Sequence, residues 1–100
     1  MENSNNMEFT VTRQYIVVSR DYVDDGSYDE DIIGATGDLL IANFLAAKEA
    51  KHQEEVYGME LTVLPLTTYN GFRYKLTSAK GLVTKVFVRR VNYFERKENA

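Results

Sequence analysis

Carboxylates are concentrated between residues 21 and 38, a stretch that contains seven acids and neither Lys nor Arg. Carboxylate oxygens can bind calcium, imitate the phosphates of a nucleic acid, or keep a connecting segment solvated. Two tyrosines lie among them, and tyrosine is a frequent anchor in protein interfaces. The candidate residues are Asp21, Tyr22, Asp24, Asp25, Tyr28, Asp29, Glu30, Asp31 and Asp38.

A calcium loop of the EF-hand type does not fit this spacing. With Gly26 at the sixth position of such a loop, Val23 occupies the third position and Ile32 the twelfth. Both positions need oxygen ligands, and the twelfth normally holds a bidentate Glu. We therefore expect no metal site here.

The segment IIGATGDLLI, residues 32–41, resembles the GXXG loop of KH domains. In that family the loop joins two helices and holds a nucleic-acid backbone. Here Asp31 and Asp38 flank the loop and no base is near, so a phosphate would meet like charge. We expect Gly34 and Gly37 to serve instead as a break between helical segments.

Residues for catalysis are scarce. The chain has no Cys, and its one His, His52, lies in a polar segment with no serine at a triad spacing. No P-loop or dinucleotide-binding fingerprint is present. The sequence predicts a protein that is not an enzyme and that needs no cofactor.

The composition is typical of one small globular domain, with 44% apolar and 27% charged residues in a chain of 100. We expect a disordered tail over residues 1–7 and a single α+β domain over residues 8–97. Neither a secretory leader nor a membrane-spanning run is evident, so no membrane partner is expected. The predicted location is the cytoplasm, or the host cell cytoplasm if a phage encodes the protein.

Residue patterning predicts the order β-α-β-β-β, an antiparallel-rich four-stranded sheet with one main helix packed on one face. The strands are expected at 8–23, 59–69, 72–78 and 82–94, with the first and last as neighbours. Asn70-Gly71 favours a tight hairpin, and Pro65 favours an edge position for its strand.

Helical signals occupy the middle of the chain. Ser27 and Glu30 form a capping pattern that predicts a helical turn over 28–33, and the main helix should run from 38 to about 57, before Gly58. Its apolar stripe is expected to face the sheet. That stripe comprises Leu40, Ile41, Phe44, Leu45 and Ala47 or Lys48.

Charge is divided unevenly along the chain. Residues 1–70 hold thirteen acids and four bases, a net of −9, whereas residues 71–100 hold two acids and eight bases, a net of +6. Such asymmetry either pairs internally across the fold or marks an interaction surface.

The function expected first is non-enzymatic binding through an acidic, phosphate-mimicking face. Its partner would be a host protein with a basic nucleic-acid-binding groove. In size and character the chain is similar to small phage or mobile-element inhibitors of the anti-CRISPR or anti-restriction type. Salt-sensitive association would follow from such a surface.

Two alternatives remain open. The basic C-terminal strands could bind nucleic acid, with bases stacking on Phe72, Tyr74, Phe87 or Tyr93. The chain could also be an oligomeric assembly protein, such as a homodimer in which the apolar YIVV segment, residues 15–18, makes the contact. The candidate nucleic-acid-binding residues are Arg73, Lys75, Lys85, Arg89 and Arg90.

Overall fold

The computed structural model describes residues 7–66 and 71–97. They form β1 (Phe9–Tyr22), β2 (Tyr28–Thr36), α1 (Leu39–Tyr57), β3 (Glu60–Val63), β4 (Arg73–Thr77) and β5 (Val83–Arg96). All five strands within these ranges belong to one antiparallel sheet in the order β2-β1-β5-β4-β3. The predicted α+β class with a helix on an antiparallel sheet is confirmed, but the sheet has five strands rather than four.

The additional strand is β2, where the sequence pattern predicts a helical turn. Val23 N–H donates to the Ser27 carbonyl, and Gly26 takes a φ of 88°, which closes a hairpin after β1. The acidic segment then pairs antiparallel with β1. The capping pattern at Ser27 and Glu30 does not start a helix, because strand pairing satisfies the backbone hydrogen-bonding groups of the whole segment. Gly34 lies inside β2, so the helix-GXXG-helix arrangement is also absent.

β1 and β5 are the longest strands and neighbours, as predicted. Their register runs from Phe9 opposite Arg96 to Asp21 opposite Thr84. β2 joins β1 only from Tyr15 onward, and β4 leaves β5 at Phe87. In the part of the chain that the structure describes, residues 9–14 and 91–96 therefore pair only with each other, and this two-stranded extension is called the arm below.

The helix begins and ends as the sequence predicts. The Asp38 carboxylate accepts from Leu40 N–H at 2.8 Å, and Gly58 closes the helix with a φ of 65°. The Asp38 contact satisfies a backbone N–H that a helix start leaves without a partner, and a left-handed Gly is a common helix end.

The face that α1 turns toward the sheet matches the predicted stripe only in part, at Leu45 and Ala47. Ala42, Ala46 and Ala50 are fully buried against Val17, Val86, Val88 and Leu76, and Leu45 and Ala47 pack beside them. Small side chains let the helix axis come close to the sheet. The predicted stripe residues Leu40, Ile41 and Phe44 are instead exposed.

A buried polar contact fixes the second half of the helix. Gln53 Nε2 donates to Ser19 Oγ at 3.0 Å and to the Glu49 carboxylate at 2.8 Å. Buried amides are costly without partners, so this pair also sets the helix position along β1.

The edge position of β3 agrees with the sequence, but the predicted tight hairpin at Asn70-Gly71 is wrong. Val63 is opposite Tyr74, whereas a two-residue turn at 70–71 would set it opposite Ser78, and Gly71 does not have a positive φ. β3 is an edge strand, and Pro65 follows it. Gly81 has a φ of 86° and donates to the Ser78 carbonyl in the turn before β5. Residues 1–6 of the predicted tail and Asn70 of the predicted hairpin lie outside the described residues. Across the described ranges, no helix has the length and apolar character needed to cross a membrane.

Overpacking tests the alanine face of α1. We expect Ala46→Leu to lower the free energy of unfolding by about 1–3 kcal/mol, because the added carbons have no space between helix and sheet. Urea denaturation measures this. The control Lys48→Leu, at an exposed helix position, should change stability little. Equal effects for both variants would contradict the proposed packing.

Candidate functional site

The sheet sorts the charged residues onto its two sides. Side chains of directly opposed residues share a face, and neighbours along a strand alternate. Ser19 contacts Gln53 of α1, so Asp31, its partner on β2, lies on the helix side. Arg20 and its partners Glu30 and Lys85 lie on the opposite side, which the helix leaves uncovered.

The uncovered side carries a cluster of cations and aromatic rings, called the basic face. Four strands contribute to it, because the same alternation continues from β2 to β4. Its members are Arg20, Tyr22, Tyr28, Arg73, Lys75, Lys85, Phe87 and Arg89.

Arg20 organises this face. Its guanidinium carbon lies 4.3 Å from the centroid of the Tyr28 ring and 5.0 Å from that of Phe87. Nη1 donates to the Tyr22 hydroxyl at 3.3 Å, and Nε donates to the Glu30 carboxylate at 2.6 Å. Planar contacts of this kind are typical of Arg and hold the rings in fixed positions.

Glu30 joins two strands through its carboxylate. It forms an ion pair with Arg20 and accepts from Arg89 Nη2 at 2.9 Å. The hydrogen bond from Arg20 holds the pKa of Glu30 below its ordinary value of 4.5. The pKa of Arg20 is raised, chiefly by the hydrogen bond with the Tyr22 hydroxyl, so the guanidinium keeps its positive charge.

Three cations of the basic face have no carboxylate partner in the part of the chain described here. They are Arg73, Lys75 and Lys85. Lys75 lies directly opposite Lys85 across β4 and β5, an arrangement in which like charges repel. A bound anion between them would remove that cost.

A groove of about 310 Å³ crosses this face. Its walls include Arg20, Arg73, Lys85, Tyr22 and Phe87. The cations suit phosphate oxygens, and the ring edges and faces suit a planar base.

The helix side holds an acidic cleft of about 460 Å³, between the second half of α1 and the β1–β2 hairpin. Its carboxylates are Asp21, Asp31 and Glu49, and no Lys or Arg of the described residues lines it. Thr84 Oγ1 donates to Asp21 at 2.7 Å. Asp29 is directly opposite Asp21, so two like charges face each other at this end of the sheet.

The nine acidic-stretch candidates do not form one surface. Asp24 and Asp25 are in the hairpin turn, where the Ser27 hydroxyl lowers the pKa of Asp25. Asp38 caps the helix at the other end of β2. Asp21, Asp29 and Asp31 are on the helix side, whereas Tyr22, Tyr28 and Glu30 belong to the basic face.

Of the five residues predicted to bind nucleic acid, four lie together on the basic face, and Arg90 does not. Arg90 is opposite Tyr15, which places it on the helix side of the sheet. Of the candidate stacking aromatics, Phe87 is on the basic face, Tyr74 is buried under the helix, and Tyr93 is in the arm. Phe72 precedes β4 and lies 6.2 Å from Tyr74 between ring centroids.

Sequence reasoning missed Arg20, the central residue of the site. The signal was present in the alternation of β1, where Ile16, Val18, Arg20 and Tyr22 share one face. It was overlooked because Arg20 belongs to the acidic half of the chain and because the pairing of β1 with β2 was not anticipated.

Within the described residues, no group of three or more His, Asp or Glu side chains is arranged to hold a metal ion.

The Glu30 carboxylate gives a pH-dependent test. The pKa of Glu30 is lower in the folded chain than in the unfolded chain. Its contribution to the free energy of unfolding is therefore fully present above the unfolded pKa and is lost as the pH falls through the folded pKa. We expect Glu30→Gln to be less stable than the native chain near neutral pH and equal to it in strong acid. Urea denaturation over an acidic pH series measures the difference. A difference that did not change with pH would contradict the ion-pair role, and Glu54→Gln is the control.

No protein-family model matches this chain, and the comparisons with curated proteins and with solved structures likewise found no match. The function is therefore argued from the geometry of the two charged regions.

Proposed function

We propose that the protein is a non-enzymatic binding module whose basic face holds single-stranded nucleic acid. The observation that carries this proposal is the juxtaposition of five cations with Tyr22, Tyr28 and Phe87 on one uncovered sheet face. Only one carboxylate of the described residues, that of Glu30, is paired with these cations.

The chemistry of the face matches a single strand better than a duplex. A strand has unpaired bases that can stack on aromatic rings while its phosphates follow a row of cations. Lys75 and Lys85 are opposite each other, and Arg73 is next to Phe87 across the sheet. This places phosphate contacts beside a ring on which a base can stack.

The contacts within the face also favour recognition without large rearrangement. Arg20 is held by Tyr22, Tyr28, Phe87 and Glu30, so the rings and one positive charge are already ordered. A preorganised site loses less conformational entropy on binding than a set of free side chains.

A second function is supported by the acidic cleft. Asp21, Asp31 and Glu49 line it, and no Lys or Arg of the described residues neutralises them there, so it fits a cationic side chain from a protein partner. In this version the chain is an inhibitor of a host nucleic-acid-handling protein, of the anti-CRISPR or anti-restriction kind. The partner would present a basic groove, and the acidic hairpin would enter it.

Removing two lysines tests nucleic-acid binding. We expect Lys75→Ala with Lys85→Ala to weaken the affinity for a labelled single-stranded oligonucleotide at least about 10-fold at low salt, because two phosphate contacts are lost. The salt dependence of log Kd should also become shallower, by about 0.7 for each lost contact. Fluorescence anisotropy with DNA and RNA oligonucleotides measures both quantities.

The matched control is Lys51→Ala with Lys80→Ala, which removes the same charge from exposed positions outside the basic face. An equal loss in this control would show that only net charge matters. Absence of binding by the native chain to either nucleic acid at low salt would overturn the proposal.

Charge removal in the cleft tests the inhibitor function. We expect Asp31→Asn with Glu49→Gln to lose a salt-releasable protein partner that the native chain recovers from source-host lysate. Both changes preserve size, and the amide introduced at position 49 can still accept the hydrogen bond from Gln53. The control is Glu54→Gln with Glu60→Gln. Recovery of the same partner by cleft and control variants alike would contradict a role for the cleft.

A further inference from the structure

Large apolar side chains cover the outer surface of α1 near its start. Leu40 is 77% exposed and Phe44 is 65% exposed, and Ile41 lies beside them. Their spacing of three and four residues puts them on one side of the helix. These three residues, called the helix patch, face away from the alanine side that packs on the sheet.

A second apolar surface lies on the arm. Phe9 and Val11 are about half exposed, and Phe94 is 59% exposed. Val11 is directly opposite Phe94, and the rings of Phe9 and Phe94 meet edge to face at 5.4 Å between centroids. These three residues, called the arm patch, are on the same side of the sheet as Val17, the side that α1 covers further along.

The helix does not reach the arm patch. α1 starts at Leu39, and the preceding Gly37 lies close to the Arg13 carbonyl at the base of the arm. Beyond that point the arm is a two-stranded ribbon, and such ribbons are marginally stable in water unless a further layer covers them. Within the described residues, the arm therefore lacks the helical layer that covers this side of the sheet further along.

We propose that a second copy of the chain covers both patches. With one copy turned over relative to the other, the arm patch of each copy lies on the helix patch of the other. Each helix is then held between its own sheet on the alanine side and the partner's arm on the outer side. The contact is isologous, as closed dimers require.

The dimensions of the two patches agree. Six paired residues give the arm a length of about 20 Å at 3.3 Å per residue. The first ten residues of α1 span about 15 Å at 1.5 Å per residue. The apolar residues on the outer side of α1 are confined to that first half, and Lys48, Lys51 and Glu55 follow.

The area is sufficient for a stable dimer. A large apolar side chain presents roughly 150–200 Å² when free, so the six exposed fractions amount to about 600 Å² per copy. Two copies would bury about 1,200 Å², which is at the lower bound of standard specific interfaces.

Charges at the rim are compatible with this arrangement. Arg13 lies at the base of the arm, on the side of the arm patch, and Asp38 lies at the start of α1 beside the helix patch. When arm and helix of different copies overlap, the base of one arm comes near the start of the other helix. Opposite charges then meet where the apolar contact ends.

Sedimentation velocity over a range of protein concentrations tests the proposal. The native chain should sediment as a dimer, and Leu40→Glu with Phe44→Glu should raise the dissociation constant by about 100-fold or more, because charge would be buried in the contact. Phe9→Ser with Phe94→Ser should have a similar effect. His52→Glu, exposed on the same helix beyond the patch, should remain dimeric.

Two outcomes overturn the proposal. A native chain that stays monomeric at all concentrations leaves the patches to a different partner. A dimer that survives both double substitutions has its interface elsewhere. Circular dichroism distinguishes dissociation from unfolding in every variant.

Cross-linking gives an independent measurement of which two surfaces meet. The chain has no native Cys, so Val11→Cys and Phe44→Cys can be made separately and mixed. A short bis-maleimide should link the two variants into heterodimers. Phe44→Cys mixed with Lys80→Cys, which lies in the turn before β5, is the control pair and should link no better than either variant alone. Equal yields for the two mixtures would contradict the arrangement.

Discussion

The antiparallel register of β1 with β5 is the constraint on which the rest of the structure depends. It sets Val17 opposite Val88 on the helix side and Arg20 opposite Lys85 on the uncovered side. A slip of one residue would exchange the two faces, burying cations and exposing the core. The core, the basic face and the arm are thus consequences of a single pairing.

The same register explains the uneven charge of the chain. The acidic first part and the basic last part lie side by side in the sheet, yet they neutralise each other at few points. Among the described residues, Glu30 with Arg20 and Arg89 is the contact that joins strands, and Lys51 with Glu55 is local to the helix. Alternation sends Asp29 and Asp31 to one side and Lys75 and Lys85 to the other, so the charges are separated by the thickness of the sheet.

The sequence predicted the strands with clear period-two alternation and the helix with clear caps. β4 has Tyr74 and Leu76 buried as expected, and Asp38 and Gly58 bound the helix as expected. These features depend on neighbours a few residues apart, and local patterning records them.

Two features could not be read locally. The acidic segment has helical start signals, and only its pairing with β1, a non-local interaction, makes it a strand. The buried side of α1 was only partly predicted, because hydrophobicity favoured Leu40 and Phe44, whereas the sheet accepts Ala42, Ala46 and Ala50. Which side of a helix packs depends on the surface it meets and on what else covers the other side.

The candidate site was partly predictable for the same reason. Alternation within β4 and within β5 is enough to put Arg73 with Lys75, and Lys85 with Arg89, on a common side of each strand. Arg20 joins them only through the order of strands in the sheet, which places β1 next to β5. Strand order is set by contacts between residues far apart in the chain, so it cannot be predicted from the pattern of a short segment.

Several arrangements in the molecule are unfavourable for an isolated chain. Lys75 faces Lys85, Asp21 faces Asp29, and large apolar side chains lie outside a helix whose inner side is alanine. Each would be relieved by a ligand of matching chemistry: an anion, a cation or a second apolar surface. The basic face does not compete with the apolar patches, because it is on the opposite side of the sheet from the arm patch and the helix. A dimer joined through arms and helices therefore leaves both basic faces in solvent, where two separate segments of nucleic acid could be held at once.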